Sequence, residues 1–338
     1  MKRKLLFLLP LLIIVYLLGP RPDKPLFSDQ LPEIPIELNE IELFIEQKES
    51  QHNIKPGNAA TIVWADSARS KTPYVIVYLH GFSASHREGA PVHTEVAEAI
   101  HANLYLPRLA DHGIDTVDAL YNFTADRIWE SAKEALVVGS QLGDKVILMS
   151  TSTGGTLALM LAAAFPEKVY AMINFSPNIR INNPLAFLTN NPWGLQLTRI
   201  SQGGKSNVIK YPEVRLPYWN ENYRYEAIVQ LQQLLESAMV EETFKSVTQP
   251  TLNLYYYKSE KEQDPVVKVD AMLWMHNKLA TPDALKRAVA VPEAGDHVIA
   301  CDLTSNDLPS VRAEVFDFIK GVLKISIREQ NHVFNSVN

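Results

Sequence analysis

Hydrophobic positions along this chain fall into short continuous runs and longer stretches of helical period, and the two alternate. Residues 74–79 (Tyr-Val-Ile-Val-Tyr-Leu) carry no polar break, and within 145–150 residues 146–149 are apolar between Lys145 and Ser150. Such runs suit strands buried on both faces. Residues 60–64, 104–106, 169–175, 251–257 and 288–291 are further strand candidates, and 41–47 alternates enough to be read as one more. Segments 91–100, 125–142, 153–165, 267–279 and 310–323 repeat their apolar residues at helical spacing, and 153–165 ends before Pro166. Strands alternating with helices require crossover connections. The expected fold is therefore α/β, a mostly parallel central sheet with helices on both faces.

The alternation stops between residues 178 and 245. Pro184, Pro192, Pro212 and Pro217 interrupt it, Trp193 and Trp219 fall within it, and only 225–239 reads as a helix. Sixty-odd residues between consecutive strands are too many for a connection, so 178–245 is read as an insertion. Insertions at the carboxyl end of a strand in an open α/β sheet sit over the ligand crevice, which makes this one a cap. Residues 37–177 and 246–323 then form the core, and 324–338 a C-terminal tail.

The N-terminus follows another pattern. Lys2, Arg3 and Lys4 precede an apolar run from residue 5 to 18, broken only by Pro10. A basic start followed by ~7–15 apolar residues is the layout of an export signal. No small-x-small cleavage site follows, since Tyr16, Leu17 and Leu18 are bulky. Residues 1–19 are read as a signal-anchor, with a cleaved signal peptide as the alternative. Either reading exports the body, membrane-held in the first and secreted in the second. Five prolines between residues 20 and 36 mark that stretch as a stiff spacer outside the core.

Composition narrows the class. The 338 residues are 46% hydrophobic and 21% charged, as in a folded protein large enough to need no covalent staples. A net charge of −6 without a basic stripe argues against nucleic acid as a partner. A single cysteine, Cys301, excludes an intramolecular disulfide and a cysteine-based zinc cluster.

Ser150-Thr151-Ser152-Thr153-Gly154-Gly155 joins the 145–150 strand to the 153–165 helix. The pattern small-x-Ser-x-Gly at a strand-to-helix junction holds a serine above the sheet, with helix N–H groups behind it. Ser152 has small residues two positions away on both sides and is the nucleophile candidate, with Ser150 as its rival. Serine needs an imidazole oriented by a carboxylate. Nine histidines compete, and His297 follows Gly295-Asp296 just past a strand candidate. Asp264 lies between the 251–257 strand and a helix, with Glu260, Glu262 and Asp270 as near competitors. For oxyanion stabilisation, Thr153 and Phe82 supply backbone N–H groups, the latter from the turn His80-Gly81-Phe82 after the 74–79 strand.

With Leu79-His80-Gly81-Phe82, Ser150 to Gly155, Asp264-Pro265-Val266-Val267 and Gly295-Asp296-His297 in view, the chain resembles the serine α/β-hydrolase superfamily. It looks closest to the carboxylesterase and monoacylglycerol-lipase-like branch, over about residues 74–319. Arg108-Leu109-Ala110-Asp111-His112-Gly113 also resembles a stretch of that branch which crosses near the site. The resemblance implies Ser152 as nucleophile, Asp264 as orienting acid, His297 as base, and Phe82 and Thr153 as oxyanion donors. Two positions depart from the family pattern, which commonly has Gly and His where Ser150 and Thr151 stand. A retained serine separates the chain from haloalkane dehalogenases and epoxide hydrolases, which place Asp there.

The expected activity is hydrolysis of a small ester or lipid-like substrate through an acyl-enzyme, with neither metal nor organic cofactor implied. Phe82, Phe187, Leu188, Trp193, Trp219 and Tyr223 are candidates for an apolar substrate pocket. The same triad also serves peptidases, thioesterases and acyltransferases. A membrane-tethered binding protein on a degenerate hydrolase scaffold is the reading from outside enzymes.

Overall fold

The computed structural model describes residues 10, 13–34 and 37–328. Strands β1 (Thr61–Val63), β2 (Thr72–Leu79), β3 (Asn103–Leu106), β4 (Gly143–Thr151), β5 (Val169–Phe175), β6 (Thr251–Tyr255) and β7 (Lys286–Ala290) form one sheet. Their spatial order is β1-β3-β2-β4-β5-β6-β7. Only β1 runs antiparallel to its neighbour. The longest strands, β2 and β4, lie side by side, with Leu79 level with Ser150. Their carboxyl ends therefore deliver the His80 turn and Ser152 to one place.

The helices are α1 (Ile41–Glu49), α2 (Val92–Ile100), α3 (Ala125–Leu142), α4 (Thr153–Ala164), α5 (Gly194–Gln202), α6 (Tyr225–Ala238), α7 (Glu241–Lys245), α8 (Val269–Lys278) and α9 (Leu308–Gly321). Val75, Val77 and Leu79 of β2 face α3 and α4, while Ile76 and Tyr78 face α2 and α9. That two-sided burial is why the strand needs no polar position. Helix α3 starts at Thr124, whose hydroxyl accepts the Arg127 N–H at 3.1 Å, an N-cap. Gly139 lets α3 approach the sheet closely, since a methyl there would stand 2.4 Å from Val77. Helix α4 is buried nearly all round, as befits its Ala/Leu-rich sequence.

Two expectations are corrected here. Residues 41–47 are not a strand but the start of α1. Ile41 and Ile45 are buried one turn apart, while Leu43, which alternation would bury, is 54% exposed. Glu, Gln and Lys between them favour a helix on which only one stripe is covered. The proline-rich stretch 20–34 is not a detached spacer either. Its backbone has no hydrogen bonds of its own to make, and α3 supplies them. Asp126 accepts the Leu26 N–H at 2.7 Å, and Trp129 Nε1 donates to the Ser28 carbonyl at 2.9 Å. Lys133 Nζ donates to the carbonyls of Ser28 and Gln30 at 3.1 and 2.6 Å. Phe27 sets its ring edge against Trp129, and Leu31 and Ile34 also pack on the core.

The signal-anchor expectation falls mostly on residues 1–9, 11 and 12, outside the described residues. Among the described residues no helix is long and apolar enough to cross a membrane. Residues 13–17 are helical, and Trp193 reaches this stretch by donating Nε1 to the Val15 carbonyl at 2.9 Å.

The insertion between β5 and β6 contains α5, an antiparallel pair Ser206–Val208 with Asn222–Arg224, α6 and α7. Leu231, Leu234 and Leu235 of α6 belong to the same core as α3 and α4, so this part is integral to the body.

Candidate active site

Ser152 sits between the last residue of β4 and the first of α4, with φ 55° and ψ −118°. A serine at positive φ costs of order 1–3 kcal/mol and persists only where its surroundings enforce it. Three contacts do so. The Ser152 N–H donates to the Phe175 carbonyl at 3.0 Å, and its own carbonyl accepts from Gly155 N at 2.8 Å and Asn178 N at 2.9 Å. Gly154 is required by space, because a Cβ there would lie 1.8 Å from the Leu79 carbonyl oxygen. The side chains of the two residues before Ser152 are both partnered. The Ser150 hydroxyl donates to Asn174 Oδ1 at 2.7 Å, and Thr151 Oγ1 lies 2.7 Å from the Tyr78 hydroxyl.

Asp264 is fully buried in the loop after β6. Its Oδ1 accepts the N–H groups of Val266 and Val267 at 2.9 and 3.0 Å, and its Oδ2 is 2.7 Å from His297 Nδ1. Burial alone would raise this carboxyl, but His297 and the two N–H groups outweigh it and hold it below the ordinary value. The competitors are placed otherwise: Glu260 and Glu262 are exposed on the outer loop, and Asp270 is exposed at the start of α8.

His297 hangs from the loop after β7, where Gly295 adopts φ 69° and Asp296 Oδ1 accepts the Val298 N–H at 2.9 Å. Its Nδ1–H donates to Asp264, which leaves Nε2 as the acceptor. Nε2 is buried without a hydrogen-bond partner. Burial would lower the His297 pKa, but the Asp264 charge and hydrogen bond, with Asp296 adding to them, hold it above the usual imidazole value.

The turn after β2 is fixed by His80, whose Nε2 accepts the Leu109 N–H at 3.1 Å and whose Nδ1–H donates to the Gly81 carbonyl at 2.9 Å. Burial holds this imidazole neutral. Gly81 lies directly against Ser152, since a Cβ on it would be 3.1 Å from Ser152 Cβ. The Thr153 N–H is the first of α4 and has no intrahelical acceptor. The structure thus brings Ser152 beside the Gly81–Phe82 turn, and Asp264 onto His297.

Among the proposed pocket residues, Phe82 sets its ring against Phe123 and Tyr223 at 5.3 and 5.2 Å between centroids. Trp219 is buried with Ala84, Val298 and Cys301, close to the His297 loop. Phe187 and Leu188 are largely exposed, and Phe187 lines a separate cavity of about 520 Å³ with Ile179, Met239 and Trp274. Trp193 is engaged by residues 15–20. The insertion closes over the site. Arg215 pairs with Asp296 at 2.7 Å, and the Asn220 N–H donates to the Ser83 carbonyl at 2.8 Å. Ser152 and His297 are left 6% and 7% exposed.

Sequence reasoning missed Glu88, a buried carboxyl whose Oε2 accepts the Gly81 N–H at 2.5 Å. Its placement three residues before Pro91 carries no local signature; only its arrival behind the Gly81 turn reveals it.

No protein-family model and no curated protein matches the chain. Solved structures do match it in fold. One, from work on LipS and LipT, two metagenome-derived lipolytic enzymes, is 19% identical with a TM-score of 0.63, covering 79% of this chain and 99% of that one. The Paleococcus ferrophilus monoacylglycerol lipase is 10% identical with a TM-score of 0.58, covering 78% of this chain and 98% of its own. Est1E from Butyrivibrio proteoclasticus, bound to ferulic acid, is 18% identical with a TM-score of 0.53, covering 78% and 95%. With the sheet order above, these likenesses establish that the chain has the α/β-hydrolase fold.

Proposed function

We propose that this protein is a serine hydrolase that cleaves carboxylic esters through an acyl-enzyme. The observation that carries the reading is the Asp264–His297 pair at 2.7 Å, which leaves His297 Nε2 as a buried, unpartnered base in the fold layer that holds Ser152 on its strained turn. In this reading His297 takes the Ser152 proton as Oγ attacks the ester carbonyl, and the Phe82 and Thr153 N–H groups receive the developing oxyanion. His297 then protonates the leaving alcohol, and water repeats the sequence to release the acid. The lipolytic and esterase neighbours support the ester class. Phe82, Trp219 and Tyr223 supply apolar surface at the site, and the basic and apolar N-terminus supports export of the body, held at a membrane or secreted.

The test is hydrolysis of p-nitrophenyl esters from acetate to palmitate by the full chain beside Ser152→Ala. Turnover that the substitution abolishes, with the thermal midpoint kept, is the expected result. A folded wild type inert on every chain length, or an active Ser152→Ala, would overturn the reading.

A further inference from the structure

The triad does not account for Glu88. It lies in the turn His86–Gly89, is 3% exposed, and places its carboxyl behind the oxyanion turn. A Cβ built on Gly81 would stand 3.0 Å from both Glu88 oxygens and 3.1 Å from Ser152 Cβ. The Gly81 α-carbon is therefore clasped between this carboxyl and the nucleophile. The Trp219 side chain lies near the same carboxyl. Arg87, next in sequence, is not its counter-ion, since it pairs with Asp302 at 2.6 Å. An ionised carboxyl buried without a cation is costly, so this side chain is held in its neutral form, which still accepts the Gly81 N–H.

We propose that Glu88 is a positioning residue for the oxyanion-binding N–H of Phe82, acting through Gly81. The inference rests on the hydrolase reading above. The Gly81 N–H is held by Glu88 at 2.5 Å and its carbonyl by His80 at 2.9 Å, so both sides of this residue are fixed and the next N–H, that of Phe82, has one direction open to it. The carboxyl must be neutral to do this well, because a second negative charge beside the oxyanion would oppose it. Burial pushes the Glu88 pKa up to about 8, which keeps it protonated at neutral pH. The groups facing it are His297 and Asp296 from the loop after β7, Tyr78 on β2, Cys301, and Tyr211 from the insertion.

The experiment compares kcat, KM and their pH dependence for the full-length wild type, Glu88→Ala and Glu88→Gln on the best p-nitrophenyl ester. Glu88→Ala should lose about tenfold or more in kcat with KM held within about twofold. Glu88→Gln should recover much of that loss and lack a decline in rate near pH 8 that the wild type shows. Full kcat in Glu88→Ala, or a Glu88→Gln profile that overlays the wild type, would overturn the proposal. Should Glu88→Ala fail to fold, the Glu88→Gln profile decides. An inert wild type defeats the hydrolase reading and this assignment together, whereas an active wild type beside a fully active Glu88→Ala defeats this assignment alone.

Discussion

Gly154→Ala is the sharpest test of how the nucleophile turn is built. The new methyl would stand 1.8 Å from the Leu79 carbonyl oxygen, 2.5 Å from its carbon and 3.0 Å from the His80 oxygen. All three are backbone atoms at the end of β2, so no side-chain rotation relieves the clash. The strand and α4 have to part by more than about 1 Å before the methyl reaches ordinary contact. Overpacking of this kind costs about 3 kcal/mol, and the small gain from a less flexible unfolded chain does not offset it. For a chain of this size that is a fall in Tm of roughly 4–5 °C. The same displacement moves Ser152 relative to the Gly81–Phe82 turn, and a 1 Å misplacement of reacting groups costs on the order of 100-fold in rate. Scanning calorimetry gives the first quantity, and the rate of Ser152 labelling by a fluorophosphonate gives the second. Gly204→Ala is the control, because a Cβ there meets nothing within 4 Å. Wild-type Tm and labelling rate in Gly154→Ala would refute the packing argument.

Asp264→Asn should keep the fold, since the amide oxygen still accepts from Val266 and Val267, but its NH2 faces His297 Nδ1 and imposes the wrong tautomer. Ester hydrolysis should fall by about 10⁴-fold, and a rate within tenfold of the wild type, roughly, would send the acid role to another residue. Because Asp264 holds the His297 pKa above its usual value, kcat/KM should decline as pH falls through that raised value, as the imidazole gains a proton and ceases to act as base. In the residual activity of Asp264→Asn this limb should move to lower pH, which a profile between about pH 5 and 9 reads directly. Lys133→Met preserves the packing of a side chain that is 1% exposed but removes the donor of the Gln30 carbonyl and one of the two donors of the Ser28 carbonyl, Trp129 keeping the other. A loss of about 2 kcal/mol and faster limited proteolysis between residues 20 and 34 should follow; a cleavage rate equal to the wild type would mean that the strap is held elsewhere.

Where the information was local, the sequence was readable. The 74–79 and 145–150 runs mark central strands because burial on both faces keeps polar residues out of their middles. Helix α3 occupies the span its periodicity marks, from the Thr124 cap to the glycine that opens β4. The Ser152 turn was legible for the same reason: the tightness of a strand-to-helix junction acts on residues two positions away, and those residues are adjacent in the chain. The order serine, acid, histidine narrowed the partners, yet it could not by itself separate Asp264 from Glu260, because nothing local shows which carboxylate a distant loop turns inward.

What the sequence alone determined is thus the α/β layering, the nucleophile turn and a short set of partners for it, all properties of neighbouring residues. The tertiary structure decided the rest. Alternation made 41–47 look like a strand, but the folded chain coils it into α1, which buries Ile41 and Ile45 on one stripe. The prolines of 20–34 announced an extended chain without showing that Trp129 and Lys133 wait on α3 to bind its carbonyls. Of the apolar pocket candidates, Phe82 and Tyr223 pack on each other and Trp219 packs beside the His297 loop, while Phe187 lines another cavity and Trp193 meets residues 15–20, because hydrophobicity alone does not fix which neighbour a side chain meets. Glu88 is the clearest case. A carboxyl acquires its partners and its shifted ionisation only when the chain closes around it, and that closure is a property of the folded whole.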